Sequence, residues 1–146
     1  MNRKRGMGNM ICFRLLAVAG AALGALATTA CEDPASQCAC TEEFRSYILT
    51  VVDDAGNPVA DVTLTRTNLR TSAVLEPTGL GQAEPGTYKV VDDGLIDAFS
   101  DEGDTVRVAG QQGAATFTAD FVFAAPEPCR CHVELLAGPD TVVIRE

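Results

Sequence analysis

The chain has 146 residues and carries 20 acidic against 11 basic side chains, a net charge of −9 at neutral pH. That length holds one domain of ordinary size. The acidity opposes binding to phosphate backbones and to anionic headgroups, which argues against a nucleic-acid reader.

The first segment differs from the rest. Arg3, Lys4 and Arg5 form a basic head, residues 15–27 (LLAVAGAALGALA) an apolar run of about a dozen residues, and small residues follow up to Cys31. This order predicts a signal peptide helix over residues 1–30. A membrane span needs roughly 20 apolar residues, and the run falls short of that. Removing the segment leaves all 20 acidic side chains but only 7 of the 11 basic ones, for a net charge of −13. Such a surface is expected to be solvated, with cation binding as the alternative.

Cys12 leaves with the signal, so five cysteines remain: Cys31, Cys38, Cys40, Cys129 and Cys131. An odd number in an exported chain needs an explanation. The stretch TTAC at 28–31 supplies one, because it resembles a bacterial lipobox, with Thr28 where an aliphatic residue is usual. The resemblance implies lipidation of Cys31, which becomes the new N-terminus. Two or more acyl chains hold a protein stably to a bilayer where one does not. Residues 31–37 then read as a polar tether. The expected location is the bacterial cell envelope, lipid-anchored, with the outer membrane ahead of the inner. Ordinary cleavage after Ala27 or Ala30, giving a secreted or periplasmic protein, is the alternative.

The other four cysteines form two C-x-C pairs, CAC at 38–40 and CRC at 129–131. Residues i and i+2 of a strand face the same side, so two extended segments side by side can be joined by two bridges. The bridges are either 38–129 with 40–131 or 38–131 with 40–129, and antiparallel pairing favours the second. A zinc or copper site built from these thiolates and His132 competes with this reading. The one-residue spacing and an oxidising exterior favour disulfides, so no metal ligand is assigned. CRCH at 129–132 is one residue short of a haem attachment motif.

From Ser46 the hydrophobic pattern has period two. YILTVV (47–52) runs into the turn cluster DDAGNP, and VADVTLTRT (59–67) follows, which predicts a hairpin. Further strands are expected at 86–91 (GTYKVV), 104–110 (DTVRVAG), 115–123 (ATFTADFVF), 129–136 (CRCHVELL) and 141–146 (TVVIRE). In 115–123, Phe117, Ala119, Phe121 and Phe123 share one face. In 129–136, Cys129, Cys131, Val133 and Leu135 share one face and Arg130, His132 and Glu134 the other, so the bridges are expected to face the core. Short strands at even spacing with Gly- and Pro-rich turns indicate an all-β domain over 38–146, a seven-stranded Greek-key sandwich.

VVDDAGNPVADVTLTRT is similar to the opening of carboxypeptidase regulatory-like domains, a transthyretin-like family with the pattern V-x-D-x-x-G-x-P-V-x-G-V-x-V. Val52, Asp54, Gly56, Pro58, Val59, Val62 and Leu64 are the kinds of residue it uses, with a second Asp at 53 and Asp61 where the family often has Gly. GTY at 86–88 is similar to the family's later G-x-Y strand start. The resemblance covers about 47–110 and implies a sandwich that serves as an accessory or interaction module without catalytic residues of its own.

No enzyme is expected. The one histidine, His132, reads as a surface residue, and no G-x-S-x-G, phosphate loop or HExxH occurs. The run DDGLIDAFSDEGD (92–104) gathers Asp92, Asp93, Asp97, Asp101, Glu102 and Asp104, without the EF-hand order. A solvated acidic loop is expected there. The expected function is a membrane-anchored, non-catalytic interaction or structural module that needs no cofactor. Its partners are the membrane, through the lipid, and a protein or glycan; ion binding, of calcium or a transition metal, is the alternative.

Overall fold

A computed structural model describes residues 38–78 and 84–146. The signal expected over 1–30, Cys31 and the tether expected over 31–37 lie outside the described residues.

The described chain is all-β. Its strands are β1 (Ser46–Val52), β2 (Thr63–Asn68), β3 (Thr87–Asp92), β4 (Asp104–Gln112), β5 (Ala115–Ala124), β6 (Glu134–Ala137) and β7 (Thr141–Val143), with a 3₁₀ helix at Asp93–Ala98 between β3 and β4. They form two sheets, β3-β1-β7 and β2-β4-β5-β6. All neighbours are antiparallel except β1 and β7.

The two-residue period of the sequence sets what faces the core. Leu49 and Val51 of β1 and Val90 of β3 meet Val106 and Val108 of β4 and Phe117, Phe121 and Phe123 of β5, all buried. Phe123 lies at the centre, with Tyr47, Phe99 and Phe121 ring centroids at 5.3, 5.7 and 6.0 Å. The same-face assignment of Phe117, Phe121 and Phe123 therefore holds, and Ala119 packs on the core between them. Opposite Phe117 the partner on β4 is Gly110, where a Cβ would come within 2.1 Å of the Phe117 ring. Glycine makes the space that the aromatic fills.

Two expectations are corrected. The first is the hairpin over 47–52 and 59–67, whose strands β1 and β2 lie in different sheets. The chain returns on itself only locally, through a bridge between Val52 and Pro58 and the Val59 N–H to the Val51 carbonyl at 2.9 Å. It then passes to the second sheet through Asp61, whose φ of 59° is left-handed. Tyr88 of β3 stitches this crossing: its hydroxyl donates to the Val59 carbonyl (2.7 Å) and accepts from the Val62 N–H (3.0 Å). β1 has no edge left for β2, because β3 pairs with one of its edges and β7 with the other, and β2 instead completes the second sheet on the free edge of β4.

The second correction concerns residues 129–136. β6 begins only at Glu134, and 129–133 are irregular. The cysteines therefore do not alternate with a pleat. The bridges are Cys38–Cys129 and Cys40–Cys131, with Cα–Cα distances of 5.4 and 5.3 Å. This is the in-order pairing, not the crossed one that antiparallel strands favour. The physical reason is that neither segment belongs to a ladder, so no strand register governs them. Nor do the bridges face the core: Cys38, Cys129 and Cys131 are half-buried and Cys40 is exposed.

Tyr88→Phe removes both hydrogen bonds of the crossing and leaves the buried Val62 N–H without its partner. The expected cost is about 1–3 kcal/mol, read as a lower urea midpoint with an unchanged slope.

Candidate functional site

The chemistry-bearing residues concentrate where the strap before β1, the 3₁₀ helix and the segment before β6 come together. Asp93, the first residue of the 3₁₀ helix, is the hub. Its Oδ2 accepts from the Arg45 N–H (2.8 Å) and its Oδ1 from the Val133 N–H (2.8 Å). Its own N–H donates to the Arg45 carbonyl (3.1 Å), so Asp93 and Arg45 are bonded in both directions. His132 Nδ1 lies 2.8 Å from Oδ2, and His132 Nε2 lies 2.9 Å from Thr41 Oγ1.

His132 is thus not the surface residue expected. Its side chain is 12 % exposed and bridges the helix to the strap. Arg130 ties the same segment down from another side, donating to the carbonyls of Ile96 (2.9 Å) and Phe99 (3.0 Å) at the end of the 3₁₀ helix. In CRCH, then, the cysteines bind the strap while Arg130 and His132 bind the 3₁₀ helix. Tyr47 of β1 completes the join by donating to the Val133 carbonyl (2.8 Å).

The acidic run 92–104 is not uniformly solvated. Asp92 is fully buried and caps the helix: Oδ1 accepts from the Gly94 N–H (3.0 Å), while Oδ2 accepts from Thr78 Oγ1 (2.9 Å) and Lys89 Nζ (3.2 Å). Asp104, 2 % exposed, receives both arms of the Arg70 guanidinium and the Ser100 N–H (2.7 Å). Only Asp97, Asp101 and Glu102 of the six are exposed. Buried carboxylates are tolerated here because each is met by donors, so their oxygens are already occupied by the protein. The disulfides likewise leave Cys38, Cys40, Cys129 and Cys131 without a thiolate for a metal.

Known protein families, curated proteins and solved structures offer no match to the chain.

Two concavities lie elsewhere. One, of about 600 Å³, is lined by Asp53, Asp54, Val59, Gln112, Ile144 and Arg145. Asp53 is engaged in the turn, accepting from the Ala55 and Asn57 N–H groups at 2.9 and 2.8 Å. Asp54, by contrast, reaches out to Arg145 at 2.8 Å. The turn role in DDAGNP belongs to Asp53. A second groove, of about 300 Å³, runs over the outer face of the larger sheet between Thr63 and Thr65 on one side and Thr116 and Thr118 on the other.

The electrostatics of the hub give a pH dependence. Burial pushes the Asp93 carboxyl up, but the N–H donors of Arg45, His132 and Val133 outweigh it and hold it below the usual range. For Asp104 the Arg70 hydrogen bond is the largest influence, burial opposes it, and Ser100 adds to the lowering. Groups depressed in the folded state stabilise above their unfolded value, near 3.9, and lose that contribution as pH falls through the folded value. Stability is therefore expected to hold down to about pH 5 and to fall progressively from about pH 4 downward. Asp93→Asn should flatten that acid limb in a series of thermal melts.

Proposed function

We propose that this chain is a bacterial envelope lipoprotein: Cys31 acylated, residues 31–37 a short tether, and residues 38–146 a non-catalytic module that presents its surface to a protein or glycan. The observation that carries the reading is the pair of disulfides at the point where such a tether would join the domain. Disulfides persist in oxidising compartments, which fits export. They also account for four of the five cysteines that remain after signal removal, leaving Cys31 for the lipid.

A tether attached at Cys31 would pull on Cys38 and Cys40, and through them on residues 129–131. Load would then enter the domain through covalent bonds and the Asp93 hub, not by peeling β1 from its sheet. A seven-stranded Greek-key arrangement of the carboxypeptidase regulatory-like kind is part of the proposal. It is supported by strands β1 to β4 alternating between the two sheets and by the left-handed Asp61 at the position where the family often has Gly. The cleft beside Arg145 and the threonine-lined groove are the surfaces offered to a partner.

Intact mass spectrometry of the protein from the membrane fraction, with and without reductant before alkylation, tests the reading. The expected result is a chain beginning at an acylated Cys31 that takes up no alkyl group until reduced and four afterwards. An unmodified amino end, or four labelled thiols without reduction, would overturn it.

A further inference from the structure

The residues that follow the two halves of one disulfide meet each other. Cys40 is bonded to Cys131, and their neighbours Thr41 and His132 approach to 2.9 Å between Oγ1 and Nε2. On the other side of the ring, Nδ1 lies 2.8 Å from Asp93 Oδ2. A hydroxyl, an imidazole and a carboxylate in this order are the parts of a nucleophile, a base and an orienting acid.

The surroundings favour that division of labour. Asp93 as a carboxylate can only accept, so the ring proton of neutral His132 sits on Nδ1 and Nε2 is left as an acceptor facing the hydroxyl. Both Asp93 oxygens are held in place by the Arg45 and Val133 N–H groups, which fixes the ring's orientation. Thr41 itself lies on the exposed strap, open to an incoming reagent. The Cys40–Cys131 bond holds the two partners together across 91 residues of sequence.

We propose that Thr41 is a nucleophilic modification site, with His132 as its base and Asp93 as the positioning residue, that accepts one acyl group from an activated ester or thioester. In the step, Thr41 Oγ1 bonds to the acyl carbon as its proton passes to His132 Nε2. The bond from that carbon to the leaving oxygen or sulfur breaks, the leaving group takes the electron pair, and His132 returns the proton to it or to water. The product is an ester of Thr41. An exposed strap offers no enclosure for repeated turnover, so the proposal is one acyl group per chain. It goes beyond the anchoring reading and does not depend on it.

The protein carries its own controls. Thr63, Thr65, Thr116 and Thr118 are exposed hydroxyls on the outer face of the larger sheet, and His132 is the only histidine. The test is incubation of the purified, disulfide-intact full chain with p-nitrophenyl acetate, followed by peptide mapping. Thr41 is expected to be acetylated on the order of a hundred times faster than those four threonines, the low end of what a positioned base contributes. His132→Gln, with folding checked by its thermal melt, should bring Thr41 down to the control rate. Thr41→Ser should keep the reaction and Thr41→Val abolish it. Cys40→Ala/Cys131→Ala, which keeps the long loop closed through Cys38–Cys129, should slow Thr41 while leaving the four control threonines unchanged, a readout that a merely structural hydrogen bond would not give. Labelling of Thr41 no faster than of Thr63 and Thr118 in the unaltered protein overturns the proposal whatever the variants do. So does an unchanged rate in folded His132→Gln.

Discussion

Two sulfur–sulfur bonds join residues 38 and 40 to residues 129 and 131, each across 91 positions, and so close one loop around β1 to β5. A domain of about a hundred residues buries only about two thirds of its unfolded surface and is correspondingly marginal. This core contains no Trp and relies on valines, a few phenylalanines, Leu49, Leu75, Tyr88 and Ile144. Restricting the unfolded chain by so long a loop is worth about 4–5 kcal/mol on the chain-entropy account, comparable to the whole stability of a small domain. The two bridges are not equivalent to two such loops. Once one is closed, the other closes a ring of only a few residues, and its main effect is to stop the strap from swivelling about a single bond.

That fixed strap is what gives the polar cluster its geometry. Thr41 and Arg45 belong to the strap, His132 and Val133 to the segment stapled to it, and Asp93 receives a donor from each side. A carboxylate placed between donors from two chain segments converts a local covalent constraint into a join between both ends of the domain and its middle. The same device recurs at Asp92 with Thr78 and Lys89, and at Asp104 with Arg70 and Ser100. Half of the acidic run thus serves as internal fastening, while Asp97, Asp101 and Glu102 supply surface charge.

What the sequence made legible was whatever follows from short-range periodicity. Alternation in 115–123 placed Phe117, Phe121 and Phe123 on the core side, and the strands at 47–52, 86–91 and 104–110 begin within a residue of where the pattern puts them. Partnership was less legible. A turn cluster such as DDAGNP says that the chain reverses, but whether the next strand stays in the sheet is settled by Tyr88, which lies 26 residues on from Val62 and holds the crossing open. The cysteine spacing narrowed the bridges to two patterns, and the choice between them rested on an extended conformation at 129–131 that the chain does not adopt. The hub went unseen for a similar reason: an Asp in an acidic run carries no mark that its partners are backbone N–H groups 40 and 48 residues away.

The claim that one long loop is closed twice has a distinctive thermodynamic signature. Urea unfolding of the oxidised protein, of Cys38→Ala/Cys129→Ala, of Cys40→Ala/Cys131→Ala and of the variant lacking all four cysteines measures it directly. Either pair removed alone should cost only about 2 kcal/mol, because the surviving bridge still closes the long loop, whereas losing both should cost roughly 6–7 kcal/mol, well beyond the sum. Strictly additive losses, or a four-cysteine variant as stable as the oxidised protein, would contradict the account.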